Sequence, residues 1–245
     1  IYNKNDYDNK REAQKWWLSK SLENFKKDLS SYKINLQVLK GDELEIFSKI
    51  RKNDNVSIYW NKIYEPDIIS KGKKIRDLLI KNEIDFKYFK GNILNEFQEV
   101  TKNDKTPFKV FTPFWRTAEK VYLGLPPAKN YIIKKQPQIK SFFKKYISPN
   151  DILPKKDWYK KFDKYWVVSE NNSKKILKNL IENKIKDYGT ARDIPSIEGT
   201  SKLSPYIKFG QIHVGTIWKK CNEIKSKGIG YRKYVNELGW REFSH

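Results

Sequence analysis

The sequence predicts an α/β fold in its first half and an all-α region in its second half. Two observations support this prediction. Short runs rich in β-forming residues alternate with amphipathic stretches up to about residue 90, and only helical periodicity follows a proline-rich stretch at 125–156. With 245 residues and 38% hydrophobic content, the chain is able to form one large core or two smaller ones.

The first half begins with a helix at about 9–32. One face of this helix carries residues at three- and four-residue steps, namely Trp17, Leu18, Ser21, Leu22, Phe25 and Leu29. The elements predicted after it are a strand at 34–39, a helix at 43–52, a strand at 56–60, a helix at 67–82 and a strand at 85–89. Because helices separate the strands, we expect a parallel sheet with helical crossovers.

Open α/β sheets bind ligands at their strand ends, and dinucleotides there need a glycine-rich turn. No Gly-x-Gly-x-x-Gly follows a predicted strand, and Gly228-Ile229-Gly230 lies in a polar loop. The sequence therefore argues against a dehydrogenase-type dinucleotide site.

The second half begins after a stretch broken by five prolines, Pro126, Pro127, Pro137, Pro149 and Pro154. Such a stretch predicts a long connector without regular structure. Beyond it, Ser169-Glu170 predicts the start of a helix whose apolar face carries Ile176, Leu177, Leu180 and Ile181. Further helices are predicted at 205–209, 214–225 and 230–243.

The chain is strongly basic, with a formal net charge of +22. This imbalance favours a polyanionic partner, although an overall bias toward Lys, Asn and Ile is an equal alternative because the lysines are scattered.

The single cysteine, Cys221, excludes an internal disulfide, fits a reducing cytoplasmic compartment and is predicted to fill space on a helix. No apolar run has membrane-spanning length, and no secretory signal opens the sequence. Methionine is absent and Ile1-Tyr2 is typical of a strand end, so we expect the natural N-terminus to lie upstream.

Three segments stand out by their composition and spacing. Residues 109–116 are rich in aromatic residues and predict a junction where the sheet ends. Residues 188–206 contain clustered hydroxyls, and Ser204 before Pro205 predicts a helix N-cap suited to phosphate. Residues 236–243 predict a helix, which places Glu237, Trp240, Arg241 and Ser244 on one face.

Structural roles are alternatives for each of these features. The hydroxyls are also what an ordinary helix cap requires, and Arg192 is also a natural ion-pair partner for Asp193. The helix at 236–243 is equally compatible with a packed indole beside paired charges. His213 is predicted to be helix filler.

The three segments occur in an order and spacing that resemble the DNA photolyase and cryptochrome family, most closely class I cyclobutane pyrimidine dimer photolyases. Trp16-Trp17-Leu18-x-x-Ser21-Leu22 and Tyr59-Trp60-Asn61-x-x-Tyr64-Glu65-Pro66 also resemble that family. The resemblance implies a Rossmann-like antenna domain lacking its first strand at 1–124, an interdomain connector at 125–168, and the start of a helical FAD-binding domain at 169–245.

The resemblance also implies roles for individual residues. FAD is expected to contact Tyr188, Thr200, Ser201, Lys202, Leu203, Ser204, Tyr234, Glu237 and Arg241. DNA is expected to contact Arg192, Glu237, Trp240, Arg241 and Ser244. Trp240 is the ring expected to stack on a flipped pyrimidine dimer, and Glu237 the carboxylate expected to bind a dimer base. The sequence departs from the family at Tyr234, where Trp or Phe is more usual, and at Lys62-Ile63.

The activity implied is light-driven electron transfer from reduced FAD, which splits cyclobutane pyrimidine dimers in DNA. A second, antenna chromophore of folate or deazaflavin type and a monomeric state are also implied, and no metal is required. The family's remaining flavin contacts lie downstream of His245, so we expect this chain alone to bind FAD weakly and to repair nothing. The alternatives are a cryptochrome-type blue-light photoreceptor and a non-enzymatic basic module that binds nucleic acid.

Overall fold

A computed structural model describes residues 1–3, 12–123, 133–137 and 142–245. The chain forms two compact units, each built from two separate stretches of sequence. The first unit contains Ile1–Gly91 and Tyr131–Ser169, and the second contains Asn92–Asn130 and Glu170–His245. Residues 92–123, which the sequence pattern assigns to the α/β region, thus pack with the C-terminal helices. The domain boundaries at 124 and 168 stay predictions.

The first unit contains a small parallel sheet. Its elements are α1 (Glu12–Ser30), α2 (Glu43–Phe47), β1 (Ser57–Asn61), α3 (Pro66–Lys81) and β2 (Asp85–Phe89), with 3-10 turns at Lys52–Asp54, Pro149–Ile152 and Asp157–Lys164. β1 and β2 pair in parallel, with Ser57 opposite Asp85 and Asn61 opposite Phe89. The predicted strands at 56–60 and 85–89 and the helix between them are therefore confirmed, as is their parallel pairing.

Two apolar clusters stabilise this unit. In one, Leu79 of α3 is fully buried with Ile50 and Ile84, and partly buried residues of β1 and β2 pack against them. The other cluster joins Tyr2, Val38 and Ile152. Asp42 caps α2, since its side chain accepts from the amides of Leu44 and Glu45 at 2.9 and 3.2 Å.

Three predictions for this unit are corrected by the structure. The run at 34–39 does not form a strand, since Val38 makes an isolated bridge to Ile147 and Lys40, just after the run, makes another to Tyr2. The helix predicted at 43–52 ends at Phe47. On α1, Phe25 is exposed and Trp16 is buried.

The buried face of α1 keeps Trp17, Leu18 and Leu22 of the predicted set, and it also includes Trp16 because aromatic residues distant in sequence pack against it. Trp16 meets Phe162 edge-on at 5.3 Å, and Trp17 meets Trp166 at the same centroid distance. The apolar spacing within α1 contains no information about these later rings, so periodicity alone did not identify Trp16 as part of the buried face.

The second unit is mainly helical in its described part. Its elements are α4 (Phe111–Leu123), α5 (Glu170–Asn179), α6 (Tyr188–Ala191), α7 (Ser204–Lys208), α8 (Val214–Asn222) and α9 (Ile229–Phe243), with a 3-10 turn at Phe97–Glu99 and a π-helical turn at Leu180–Lys184. The helices predicted in the second half are confirmed with small shifts at their ends. Residues 111–116, predicted as part of a junction, instead open α4, because Phe114, Trp115, Ala118 and Tyr122 form one buried face.

The core of this unit brings α4, α8 and α9 together. Val214, Ile217 and Cys221 of α8 are fully buried, which confirms the space-filling role predicted for Cys221. A Cβ at Gly239 of α9 would lie 2.5 Å from the Trp115 ring, so only glycine permits this approach. Among the described residues, no helix is both long and apolar enough to cross a membrane.

Candidate functional site

Helix α9 presents several of the predicted site residues together. Trp240 is 46% exposed on this helix, while Glu237 and Arg241 are partly buried. Ser244 ends the helix and donates its hydroxyl hydrogen to the Trp240 carbonyl at 2.8 Å. The indole, the carboxylate and the guanidinium therefore lie on one helix, as the spacing predicts, and the indole is open to a ligand.

Arg192, which follows α6, binds Glu237 of α9. Its guanidinium donates to the Glu237 carboxylate, and this hydrogen bond raises the pKa of Arg192. Asp193, the partner that the sequence suggested, lies 3.4 Å from the Arg192 Nε. The guanidinium also lies 5.5 Å from the centre of the Tyr188 ring, within the range of a cation–π contact. The predicted cofactor and DNA residues thus meet at this pair.

The contact continues from Tyr188 to the hydroxyl-rich segment. The rings of Tyr188 and Tyr234 meet edge-on, 5.0 Å apart and at 89°. Tyr234 and Ser201 share a side-chain hydrogen bond, and burial raises the pKa of the Tyr234 phenol. We call the five side chains Ser201, Tyr234, Tyr188, Arg192 and Glu237 the Ser201–Glu237 row, because each contacts the next.

Residues 200–204 alternate between solvent and core. Thr200, Lys202 and Ser204 are exposed, Ser201 is partly buried, and Leu203 is buried. The Lys202 ammonium lies 2.7 Å from the Glu198 carboxylate. Two hydroxyls and a cation therefore face outward from a segment that Leu203 anchors, a donor set that suits a diphosphate.

The predicted capping role of Ser204 is wrong. Ser204 is the first residue of α7, and Leu203 occupies the cap position with helical backbone angles, φ −82° and ψ −16°. No side chain caps this helix, and the Ser201 hydroxyl oxygen accepts from the Leu203 amide at 3.3 Å. His213, predicted as filler, is instead a cap whose Nδ1 accepts from the Gly215 amide at 3.0 Å.

Trp240 stacks on an aromatic residue that the sequence did not mark as part of the site. The Phe111 ring lies 3.8 Å from the Trp240 ring between centroids, and the two planes differ by 8°. Phe243 meets Trp240 edge-on at 5.9 Å. Phe111 lies in the aromatic-rich segment at 109–116, but its stacking on Trp240 is visible only in the tertiary structure.

Arg241 holds residues of the second unit together. Its guanidinium donates to the Asn92 carbonyl at 2.6 Å and to the Glu242 carboxylate at 2.5 Å. Glu242 is buried and also accepts from the Leu94 amide at 2.7 Å, and desolvation raises the pKa of this carboxyl group. The Asn92 side-chain oxygen accepts from the Val214 amide at 3.0 Å. Asn92 belongs to no pattern that the sequence singled out, and Glu242 lies within the segment at 236–243 but was given no role there.

The described residues include no group of three or more His, Cys, Asp or Glu side chains placed to hold a metal ion. The side-chain groups gathered at the site are hydroxyls and guanidinium groups, which donate hydrogen bonds, and aromatic rings, which stack. These groups suit phosphates and planar bases.

Comparison with known proteins decides the family. The family model for DNA photolyase matches residues 1–137, more than half of the sequence. The chain belongs to the DNA photolyase family.

Its relatives within the photolyase family include proteins named photo-lyase and proteins named cryptochrome. A deoxyribodipyrimidine photo-lyase of Agrobacterium fabrum is 28% identical over 239 residues, which cover 95% of this chain and 49% of that protein. Cryptochrome-2 of Arabidopsis thaliana is 24% identical over 257 residues, which cover 91% of this chain and 40% of that protein. The chain thus spans about half the length of these relatives or less.

Solved structures of the photolyase family share the fold. A class III photolyase from Agrobacterium tumefaciens matches with a TM-score of 0.80 and 27% identity, over 94% of this chain and 48% of that one. A cryptochrome from Synechocystis matches with the same TM-score and 19% identity, over 94% of this chain and 49% of that one, which shows the fold alone. Because one of these neighbours is a class III enzyme, the likeness to class I stays a prediction.

Proposed function

We propose that this photolyase-family chain carries part of the FAD site and part of the lesion site of a deoxyribodipyrimidine photolyase. The observation that supports the proposal is the Ser201–Glu237 row. It joins the outward hydroxyls at 200–204 to the helix that presents Trp240, so a cofactor and a damaged base would bind on connected residues.

The residues at 200–204 fit the cofactor. The exposed hydroxyls of Thr200 and Ser204 would meet the diphosphate of FAD, since they lie on the outward side of the segment, and the Lys202 ammonium would exchange its contact with Glu198 for a phosphate oxygen. Tyr188 and Tyr234 would line the pocket, with Ser201 fixing the Tyr234 phenol. Reduced FAD, when bound, supplies the light-driven electron transfer that splits the cyclobutane ring.

The residues on α9 fit a flipped base. Trp240 offers an exposed ring, and base–aromatic stacking contributes about 1–3 kcal/mol, which offsets part of the cost of extruding a nucleotide. Glu237 would accept hydrogen bonds from the base while Arg192 fixes its carboxylate. Arg192 and Ser244 would also meet the DNA backbone, and the net charge of +22 favours that contact.

Light signalling is a second candidate function, favoured by the likeness to Cryptochrome-2. A photoreceptor needs the flavin but not a site for a damaged base. The exposed Trp240 beside Glu237 favours repair, because these two residues provide stacking and a hydrogen-bond acceptor where a dimer would lie.

The test compares binding of two duplexes that differ only by one thymine dimer, measured by fluorescence anisotropy at several salt concentrations. We expect the 245-residue chain to prefer the damaged duplex, and Trp240→Ala to lose most of that preference while the salt dependence persists. Equal affinity for both duplexes would overturn the proposed repair function and would indicate a non-specific basic module. Preference for damage without any effect of Trp240→Ala would overturn the proposed site.

A further inference from the structure

Phe111 belongs to a set of three nearly parallel aromatic rings. The Trp115 and Phe111 planes differ by 9° with centroids 6.1 Å apart, and the Phe111 and Trp240 planes differ by 8° at 3.8 Å. Trp115 is buried, whereas Trp240 is 46% exposed. The rings thus run from the core to the surface, and Trp240 forms the open end.

The neighbours of Trp240 restrict how its indole is able to tilt. Phe111 covers one face of the ring, and Phe243 lies edge-on to both Phe111 and Trp240 at 5.9 Å. The backbone beneath is fixed as well, because Gly239 lies so close to Trp115 that a Cβ there would come within 2.5 Å of its ring. The face of Trp240 opposite Phe111 is therefore held in a defined plane.

We propose that Phe111 is a positioning residue, which holds Trp240 as a rigid platform for one extruded planar base. This inference rests on the proposed function, in which Trp240 receives the flipped nucleotide. Without Phe111 the indole would rotate among its rotamers, and each binding event would have to order it again. Phe111 acts through Trp240 and does not itself contact the base.

The experiment measures stacking directly. The probe is a short duplex with 2-aminopurine in a single-base bulge, since the fluorescence of this base is quenched when it stacks on an aromatic ring. Titration with the 245-residue chain yields both the affinity and the quenched fraction. The variants are Phe111→Leu, which removes the planar ring, Phe111→Tyr, which keeps it, and Trp240→Ala.

Phe108→Leu is the matched control, because this partly buried ring packs edge-on against Phe114 at 6.2 Å in the same unit. We expect Phe111→Leu to weaken binding of the bulge by about threefold to tenfold and to reduce the quenched fraction. Phe111→Tyr should restore both quantities, and Phe108→Leu should leave both unchanged. Circular dichroism and unfolding curves show whether each variant is folded, and the rescue by Tyr separates positioning from a general loss of structure.

Several outcomes would overturn the inference. One is a Phe111→Leu variant that quenches like the wild type while Trp240→Ala does not. Another is tighter binding by Phe111→Leu, which would mean that Phe111 occupies the place of the base. Quenching that survives Trp240→Ala would remove the platform itself. By contrast, quenching that depends on Trp240 and Phe111, without preference for a thymine dimer over intact DNA, would overturn the repair function and support the platform.

Discussion

The Arg192 guanidinium donates to the carboxylate of Glu237, which lies 45 positions later in the sequence. This pair links α9 to the residue that follows α6. It orients a carboxylate beside Trp240 and keeps a guanidinium over the Tyr188 ring, 5.5 Å from its centre. The side chains of Arg192 and Glu237 are 29% and 41% exposed, so solvent screens their attraction and orientation matters more than stability.

The contribution of this pair to stability should therefore be small and salt-dependent. A double-mutant cycle with Arg192→Ala and Glu237→Ala, measured by urea unfolding, should yield a coupling free energy of about 0.5–1 kcal/mol that declines in 1 M salt. Lys178 and Glu182, 3.8 Å apart with side chains 73% and 54% exposed, are the control pair and should yield a coupling near zero. A coupling for Arg192 and Glu237 no larger than the control would contradict the orienting role.

Flavin binding by this chain should be weak. Thr200, Lys202 and Ser204 face outward, so a diphosphate bound to this segment would remain open to solvent. Water would then compete for its hydrogen bonds. We expect flavin absorbance below one FAD per chain after gel filtration, and a further loss of affinity in Thr200→Ala/Ser204→Ala. Ser196→Ala, at an exposed serine of the preceding loop, is the control. Stoichiometric flavin in the purified protein would show that this expectation is wrong.

Gly239 should tolerate no larger residue. In Gly239→Ala the new methyl group would lie 2.5 Å from the Trp115 ring, so α9 must move away from α4, at a cost of about 1–3 kcal/mol. A methyl group at Gly72 of α3 would meet nothing within 4 Å, so Gly72→Ala should instead stabilise its helix by about 0.5–1 kcal/mol. Urea unfolding of both variants checks the opposite signs, and a neutral Gly239→Ala would refute the close approach.

Cys221 should be inert in the folded protein. Desolvation raises the pKa of its thiol to about 12, and the side chain is fully buried. A thiol-specific chromogenic disulfide at about pH 8 should react with it only after urea is added. The control is Cys221→Ala/Ser226→Cys, which moves the thiol to an exposed position and should react at once. Rapid reaction of native Cys221 would indicate frequent opening of α8.

Glu242 should make stability depend on pH. Burial raises the pKa of its carboxyl group above the unfolded value, so its stabilising contribution is complete below the unfolded pKa and is lost as pH rises through the folded pKa. The free energy of unfolding should therefore fall with rising pH above about pH 4.3, and Glu242→Gln should lack this fall.

The control for Glu242 is Glu223, an exposed carboxylate whose pKa is lowered by its hydrogen bond to Lys220. Glu223 is ionised in both the folded and unfolded states above about pH 5, so Glu223→Gln should follow the wild-type pH profile there. If Glu242→Gln also followed the wild-type profile, burial of this carboxylate would not be the cause of the pH dependence.

The sequence predicted those features that depend on local pattern. β1, α3 and β2 were predicted nearly residue by residue, because a β-rich run, an amphipathic helix and a second β-rich run each carry their own signal. The run at 34–39 has the same local signal but forms only an isolated bridge, because a strand also needs partners and these lie far away in the sequence.

In the candidate site, too, the sequence predicted local features but not contacts between residues distant in sequence. The helical spacing of Glu237, Trp240 and Arg241 predicted that they share one face of a helix, and the structure places all three on α9. Asp193 was the obvious partner for Arg192 because it is adjacent, whereas the stronger contact is with Glu237. Phe111 lies more than a hundred positions before Trp240, and no spacing rule connects residues at that distance. The roles of Arg192, Glu237, Trp240 and Arg241 toward FAD and DNA stay predictions.

The division of each compact unit into two stretches has a consequence for how the protein is made. A ribosome releases the chain from its N-terminus, so residues 1–91 must wait for the later stretch that ends at Ser169, and α4 must wait for α9. The long segments between the two stretches of each unit slow folding. Such a segment must close, at a cost in chain entropy, before the contacts that stabilise the closed loop form. A gene shortened to end near residue 124 would therefore encode incomplete versions of both units, and its product should aggregate and be degraded.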